Sequence, residues 1–221
     1  TRPEFRELAP FEFTDIVGGR SVVGNADLNR SLIQNYDVRW EWFPRAEEVI
    51  SASFFFKNFD EPIERFVEPT AQLRTSYTNA ASARNLGFEL EARKRLAGFL
   101  FVGGNYTFVD SEITLTPAQN NVLTSLVRPL SGTSRHLFNG LAEIRAGGTV
   151  GRLLVNYFGD RIADVGSLGL PDIIEKGRAT LDLALSQRIG RLSIRLAADN
   201  LTDQPITFLQ SAETQREYRV G

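Results

Sequence analysis

The sequence predicts an all-β protein, an antiparallel transmembrane β-barrel segment of about ten long strands. Three observations support this fold class: apolar and polar residues alternate along many segments, the candidate strands are long, and short and long connections alternate between them. Successive side chains on a strand point to opposite faces, so an alternation with period two gives the strand one apolar and one polar face.

The alternation is clearest between residues 36 and 42, where Tyr, Val and Trp occupy the even positions and Asp37, Arg39 and Glu41 the odd ones. The pattern recurs at 50–57, 87–93, 100–108, 180–186 and 192–199. Because full charges lie deep within these strands, the polar faces must contact water, whereas the faces rich in Trp, Phe and Leu need apolar surroundings. A water-filled lumen and a lipid exterior satisfy both requirements.

The candidate strands are long enough to cross a bilayer. Several reach about 10 to 14 residues, whereas strands of soluble sheets usually have about 5 to 6 and a tilted membrane strand needs about 9 to 11. The candidates span roughly 5–16, 33–43, 48–59, 84–94, 98–110, 134–145, 150–163, 178–188, 191–205 and 214–221.

The connections alternate in length, as in outer-membrane barrels with short turns on one rim and long loops on the other. Short links are predicted at 44–47, 95–97, 146–149 and 189–190, and long links at 17–32, 60–83, 111–133, 164–177 and 206–213. Aromatic residues near the strand ends predict girdles at the two membrane interfaces. They are Trp40, Trp42, Phe43, Tyr106, Phe108, Tyr157 and Phe158.

The composition excludes several other classes. The longest apolar run, 96–104, is about half of the ~18 to 20 residues that a spanning helix needs. A net charge of −2 without long basic runs gives no reason to expect a nucleic-acid partner. The absence of cysteine excludes disulfide scaffolds, thiolate metal sites and cysteine nucleophiles.

Several short motifs, in this order, resemble those of TonB-dependent receptors. The opening Arg2-Pro3-Glu4-Phe5-Arg6-Glu7-Leu8 is similar to a strand start of that family, and Gly24-Asn25-Ala26-Asp27-Leu28 is similar to its Gly-Asn-Pro-x-Leu segment. Residues 84–91, Arg-Asn-Leu-Gly-Phe-Glu-Leu-Glu, resemble its Gly-x-Glu-x-Glu strand. Asn200-Leu201-Thr202-Asp203 resembles the motif that closes the penultimate strand, and residues 217–221 resemble the entry to the last strand.

This resemblance implies a 22-stranded barrel in the cell outer membrane with an N-terminal plug domain that binds TonB. Residues 1–221 would then supply the C-terminal part of that barrel, without the plug and without the end of the last strand. The implied partners are outer-membrane lipid, the plug domain of the same full-length chain, TonB through the missing N-terminal region, and a small solute. The solute class stays open among siderophore, corrinoid, glycan and peptide.

No catalytic, cofactor-binding or metal-binding residue is assigned, no cofactor is expected, and the substrate-binding residues stay unknown. His136 is the only histidine, and its expected role is that of a solvated residue at the long-loop rim. The carboxylates Glu89 and Glu91, near Arg93, are expected to form ion pairs with arginines of neighbouring strands or to hold the plug, rather than to transfer protons.

The long loops are the expected functional surface. Their polar residues could contribute to a substrate vestibule, or they could be solvated and mobile. These residues are Glu61, Glu64, Arg65, Glu68, Arg74, Thr114, Thr116, Asn120, Asn121, Asp172 and Glu175.

Two other functions stay open at this point. One is a closed ten-stranded outer-membrane hydrolase, which would need His136 beside an acidic partner. The other is a soluble β-sheet module that binds carbohydrate or protein and stays in solution without detergent.

Overall fold

A computed structural model describes residues 2–14, 21–68, 74–116, 123–211 and 215–220. It contains one short helix, α1, at Phe5–Leu8, and otherwise strands. The strands are β1 Glu12–Phe13, β2 Val22–Val23, β3 Leu32–Trp42, β4 Val49–Asp60, β5 Ile63–Val67, β6 Thr75–Asn79, β7 Ser82–Ala97, β8 Leu100–Thr114, β9 Val127–Arg128, β10 His136–Ala146, β11 Thr149–Phe158, β12 Arg161–Asp164, β13 Ile173–Glu175, β14 Arg178–Ile189, β15 Leu192–Ala198, β16 Ile206–Ser211 and β17 Gln215–Val220.

One large antiparallel sheet organises the described residues. Its order is β15-β14-β11-β10-β8-β7-β4-β3, and β9 adds to the end of β8. Each strand therefore pairs with the long strands that precede and follow it in the chain, which is an up-and-down meander. Within the described residues β3 and β15 do not pair with each other, so the sheet is open at both ends.

The register places all apolar alternations on the same face of the sheet. Tyr36 pairs with Phe56, and Phe56 in turn with Leu86. A second row joins Phe54, Phe88 and Phe108 to His136. The predicted apolar and polar faces are confirmed, because a one-residue slip in any pair would have moved a whole strand to the opposite face.

The predicted alternation of short and long connections is also confirmed. Two residues, Gly98 and Phe99, join β7 to β8, and Gly147-Gly148 join β10 to β11. Both glycines of the second turn have positive φ, 55° and 83°, as a two-residue hairpin turn with mirror-image geometry requires. The long connections, β4 to β7, β8 to β10 and β11 to β14, all leave the opposite rim.

Several strand and loop predictions were wrong. The predicted strand 150–163 is divided, because β11 ends at Phe158 and Arg161–Asp164 forms β12 in a different sheet. Residues 5–8 form a helical turn, and only Glu12–Phe13 of the predicted strand 5–16 is extended; residues 15–16 lie outside the described part. The predicted strand 191–205 ends at Ala198, because Asn200 and Asp203 adopt positive φ in a turn. The predicted loop 206–213 instead contains β16, which pairs with β13 and β17.

Two small sheets accompany the large one. The first has the order β1-β2-β6-β5 and includes one parallel pairing, Val22 with Thr75. The second has the order β12-β13-β16-β17. Most of their strands come from segments predicted as long loops, so those connections are folded. Among the described residues no helix is long and apolar enough to span a membrane.

Candidate functional site

The polar face of the large sheet carries ion pairs that link three strands. The Arg39 guanidinium on β3 donates to Glu41 at 2.7 Å, to Ser53 on β4 at 3.1 Å and to Glu91 on β7 at 3.3 Å. Glu91 also lies 3.7 Å from Arg93. Glu91 therefore pairs with arginines, as predicted, but Arg39 lies two strands away across β4 and Arg93 lies on β7 itself, so neither partner is on an adjacent strand. Glu89 occupies the same face two residues away.

A second charged cluster lies on this face near the short turns. Glu143 is 4% exposed and accepts hydrogen bonds from both Arg145 and Arg152. Arg145 is also 3.6 Å from Glu47, which pairs with Arg95. The Arg95 and Arg145 guanidiniums each stack 4.6 Å from the centre of the Phe101 ring.

At the opposite rim, the polar face gives way to a hydrophobic core. Residues from the long connections pack there against Ala83, near the start of β7, and the fully buried Ile113, near the end of β8. Ala83 and Ile113 continue the polar-face positions of their strands, so the connections fold over that face. The other buried members of this core are Ala80, Leu115, Leu123, Ile162 and Val165.

A buried ion pair joins the first two long connections. The Arg128 side chain, 2% exposed, donates to Glu64, 8% exposed, at 2.5 Å. Ser131 contacts both, as an acceptor from Arg128 at 3.2 Å and a donor to Glu64 at 2.9 Å. The β5–β6 hairpin is thus held against β9 by a group of polar atoms largely removed from water.

The third long connection is held to the second and closed on itself. Leu123 pairs with Ser167 in a β-bridge, and the Thr124 N–H donates to the Gly166 carbonyl at 3.1 Å. At the base of the connection, Asp160 accepts from the Gly177 N–H at 2.7 Å and pairs with Lys176.

A cavity of about 310 Å³ lies between this folded rim and the sheet. Val109 and Ser111 form its wall on the polar-face side of β8, and Arg135, Asp160 and Arg161 bring charge to it. Each arginine already has a carboxylate partner: Arg135 pairs with Asp110 at 2.7 Å and Arg161 with Glu175 at 2.8 Å. The remaining lining residues are Pro129, Thr133, Ile162 and Ile174.

His136 lies on the apolar face and not at a solvated rim. Its Nδ1 is 2.7 Å from the Tyr106 hydroxyl, and its ring stacks with Tyr106 and packs against Phe108. The residue is half-buried among aromatic rings. Its described polar contact is a phenol and not the carboxylate that a hydrolase would need.

Of the predicted girdle, Phe158 is misplaced. It follows the polar-face positions of β11, pairs in register with Arg178, and has the Arg161 guanidinium 4.6 Å from its ring centre. Tyr106, Phe108 and Tyr157 lie on the apolar face as expected.

Close backbone contacts explain why glycine occurs in two of the sequence motifs, at positions 24 and 87. A Cβ at Gly24 would lie 2.5 Å from the Ala9 carbonyl oxygen, so this position, against the end of α1, admits only glycine without a shift. Similarly, a Cβ at Gly87 would meet the Phe108 carbonyl at 2.3 Å and the Phe55 ring at 2.4 Å. Both glycines allow close approach between segments distant in sequence.

Several of the predicted loop residues hold the rim together through their side chains. Glu64 pairs with Arg128, Glu68 with Arg74, and Glu175 with Arg161. Asp172 accepts from the Gly166 N–H at 2.7 Å. Asn120 and Asn121 lie outside the described residues, and a vestibule role for the set stays a prediction.

The sequence reasoning missed Arg128, Arg135, Asp160 and Arg161, which hold or line the rim. Only one signal indicated a folded rim: apolar residues at 113, 115, 123, 126 and 130 within the predicted loop. The part of the chain that the structure describes contains no group of three or more His, Cys, Asp or Glu residues that could hold a metal ion.

A comparison with known protein families identifies the family of this chain. Residues 1–201 match the family described as TonB dependent receptor-like, beta-barrel. The chain belongs to this family of TonB-dependent receptors. The resemblance seen in the motifs is therefore confirmed, and a receptor barrel, not an enzyme, is the class to which the chain belongs. No curated protein sequence matches the chain.

Solved receptor structures share the fold at low sequence identity. The ferric-catecholate import receptor Fiu from E. coli K12 matches with a TM-score of 0.62 and 19% identity, over 90% of this chain and 28% of Fiu. The ferric yersiniabactin uptake receptor FyuA from Yersinia pestis gives 0.61 and 21%, over 89% and 28%. The copper transporter OprC gives 0.62 and 18%, over 84% and 28%. The chain thus spans less than a third of these receptors.

The buried ion pair makes a first prediction about the rim. Glu64→Ala leaves the Arg128 charge buried without its partner, which costs about 3 to 5 kcal/mol. We expect residues 63–79 to exchange their amide hydrogens much faster in the full-length variant than in the parent, with little change in the rest of the sheet. Hydrogen exchange followed by mass spectrometry measures this.

Glu68→Ala is the matched control, because it breaks an ion pair of the same hairpin whose side chains are 23% and 39% exposed. Pairs of this kind contribute about 0 to 1 kcal/mol. Equal exchange rates in the two variants would show that the Arg128–Glu64 pair does not hold the hairpin.

The stability of the third long connection, from β11 to β14, is expected to decrease at low pH. Burial favours the neutral form of Asp160, but the hydrogen bond from the Gly177 N–H and the Lys176 ammonium outweigh it and lower the pKa of the carboxyl. Ionised Asp160 therefore stabilises the connection above the usual aspartate pKa of about 3.9. This stabilisation is lost as pH falls through the lower pKa of the folded state.

Asp160→Asn should remove this contribution. Between pH 7 and pH 3 we expect the exchange protection of residues 161–175, corrected for the intrinsic exchange rate, to fall less in the variant than in the parent. Glu68→Gln, in a different connection, should leave the profile of the parent unchanged. Identical profiles for Asp160→Asn and the parent would contradict the assignment.

Proposed function

We propose that this segment forms the C-terminal part of a 22-stranded, plugged barrel in the cell outer membrane, and that the full-length protein imports a solute with energy supplied through TonB. The observation that carries this proposal is the match of residues 1–201 to the receptor barrel family. The sheet supports it, since one face carries aromatic and aliphatic side chains and the other carries ion pairs.

The solute would enter at the folded rim. The long connections pack over the polar face of the sheet and leave a cavity of about 310 Å³ between charged and apolar walls. In the family architecture this rim faces the outside of the cell. The paired arginines and carboxylates of the cavity leave no large excess of either charge, so the cavity does not select among siderophore, corrinoid, glycan and peptide.

The two other functions have less support. A closed ten-stranded hydrolase would need the sheet edges to meet and His136 to contact an acid, whereas the described edges are open and the Nδ1 of His136 contacts Tyr106. A soluble module would have to expose Trp40, Trp42, Phe54 and Leu90 to water, each of which is 48% to 56% exposed on one face.

Uptake by cells that produce the full-length protein tests the transport proposal. Radiolabelled ferric catecholate, ferric yersiniabactin and copper are the first probes, because they are named for the structural relatives; cobalamin, an oligosaccharide and a peptide extend the panel. We expect at least one to accumulate only in cells that contain both the receptor and TonB. Accumulation that is independent of TonB would contradict the proposed energy coupling.

The position of the sheet in the bilayer can be tested with one charge on each face. A lysine on a lipid-facing position near the midplane of an outer-membrane barrel costs about 2 to 4 kcal/mol, whereas lumen positions tolerate it. Leu90→Lys should therefore strongly reduce the amount of folded full-length protein in the membrane fraction. Thr107→Lys, opposite Glu89 on the polar face, should leave it nearly unchanged. Equal losses would argue against a lipid-facing apolar surface.

A further inference from the structure

The apolar face of the sheet is not uniform, because it contains a groove of about 590 Å³ across β4, β7 and β8. Its floor consists of the small residues Ala52, Ala92 and Gly104, all at apolar-face positions. Ala92 pairs in register with Gly104, and Ala52 pairs with Leu90, two residues before Ala92 on β7. Larger side chains from the same face, Ile50, Leu90, Val102, Tyr106 and Phe138, form its walls. The intervening residues, which take polar-face positions in the register, also border it: Ser51, Glu91, Gly103 and Asn105. Small residues beside large ones thus create a trough where a membrane barrel would contact lipid.

A single cation marks one end of this groove. Lys94 lines it and pairs in register with Val102, next to the short turn at Gly98-Phe99. On the described apolar face, from the Phe88–Phe108 row to the short turns, Lys94 is the one basic side chain in the strands. Its long aliphatic stem can follow the groove while the ammonium reaches the level of the headgroups.

The other end of the groove is closed by aromatic rings. Tyr106 and Phe138 pair in register, and the Phe138 ring lies over Gly140, where a Cβ would be 3.3 Å from two ring atoms. From Lys94 to Leu90, which pairs with Tyr106, the strand advances by four residues, or about 13 Å at about 3.3 Å per residue. This length is close to one leaflet of a hydrocarbon core that is about 30 Å thick.

We propose that this groove binds one anionic glycerophospholipid from the leaflet on the short-turn side. An acyl chain would lie over Ala92 and Gly104 and end beneath Tyr106 and Phe138, and the Lys94 ammonium would contact the phosphate. The groove has about the length of one leaflet, a largely apolar lining and one cation, Lys94, at its outer end. An acyl chain with an anionic headgroup has the same distribution of properties. The proposal depends on the membrane position given under the proposed function.

The test uses the full-length receptor in lipid nanodiscs made from equal amounts of phosphatidylglycerol and phosphatidylcholine. Native mass spectrometry after extraction into mild detergent counts the lipids that stay bound to each protein molecule. We expect the parent to retain one phosphatidylglycerol, and Ala92→Phe, which places a large ring on the exposed floor of the groove, to lose it. Ala179→Phe is the matched control, since Ala179 is exposed on the apolar face of β14, away from the groove, and it should retain the lipid.

Lys94→Gln separates the headgroup from the acyl chain. It should keep one bound lipid but reduce the preference for phosphatidylglycerol over phosphatidylcholine by about fivefold, which is the contribution of one lysine near an anionic surface. An unchanged preference in Lys94→Gln would overturn the role of Lys94. Equal lipid retention in Ala92→Phe and the parent, or equal loss in Ala92→Phe and Ala179→Phe, would overturn the groove as a specific site.

The result can be separated from the proposed function. Loss of lipid binding in a protein that still inserts into the membrane and accumulates its solute concerns the groove alone. Failure of the parent to enter the membrane fraction would remove the transport proposal and the lipid site together.

Discussion

The structure depends on one continuous ladder of backbone hydrogen bonds that joins eight long strands from β3 to β15. In lipid, backbone N–H and C=O groups have no water to bond, so a strand satisfies them only by pairing with its neighbours. The ladder also has a single register, and the period of side chains along a strand is two. Pairing therefore sorts every side chain to one of two faces, and the properties of both faces follow from it.

The two faces obtain their stability in different ways. On the polar face, arginines link strands through carboxylates. Arg152 pairs with Glu143 on the adjacent strand, and Arg39 on β3 reaches across β4 to Glu91 on β7. The planar guanidinium suits this role because it donates in several directions to groups on adjacent strands. On the described apolar face, from the Phe88–Phe108 row to the short turns, no such pair occurs. This part of the face depends on contacts between rings, such as Phe88 with Phe108 at 5.5 Å between centroids.

Between these rings and the rim of the long connections, a packed core is added to the sheet. The long connections turn back over the polar face and bury apolar side chains against Ile113, and they are joined by the Arg128–Glu64 pair and the Leu123–Ser167 bridge. A binding surface made of folded connections can keep a defined shape while its exposed residues vary. The cavity beside Ser111 and Arg161 lies where this folded rim meets the sheet.

The sequence by itself determined most of the long strands, the identity of their faces and the alternation of short turns on one rim with long connections on the other, because alternation and turn residues are local properties. It did not determine the helical turn at Phe5–Leu8, the strand at Ile206–Ser211 or the partners of Arg128 and His136. The helical turn has a local capping box of Glu4 and Glu7. By contrast, the pairing of Ile206–Ser211 with β13, the Arg128–Glu64 pair and the His136–Tyr106 contact each join residues at least 30 positions apart along the chain. Only the tertiary structure brings those residues together, and it alone decides which polar groups are buried as pairs.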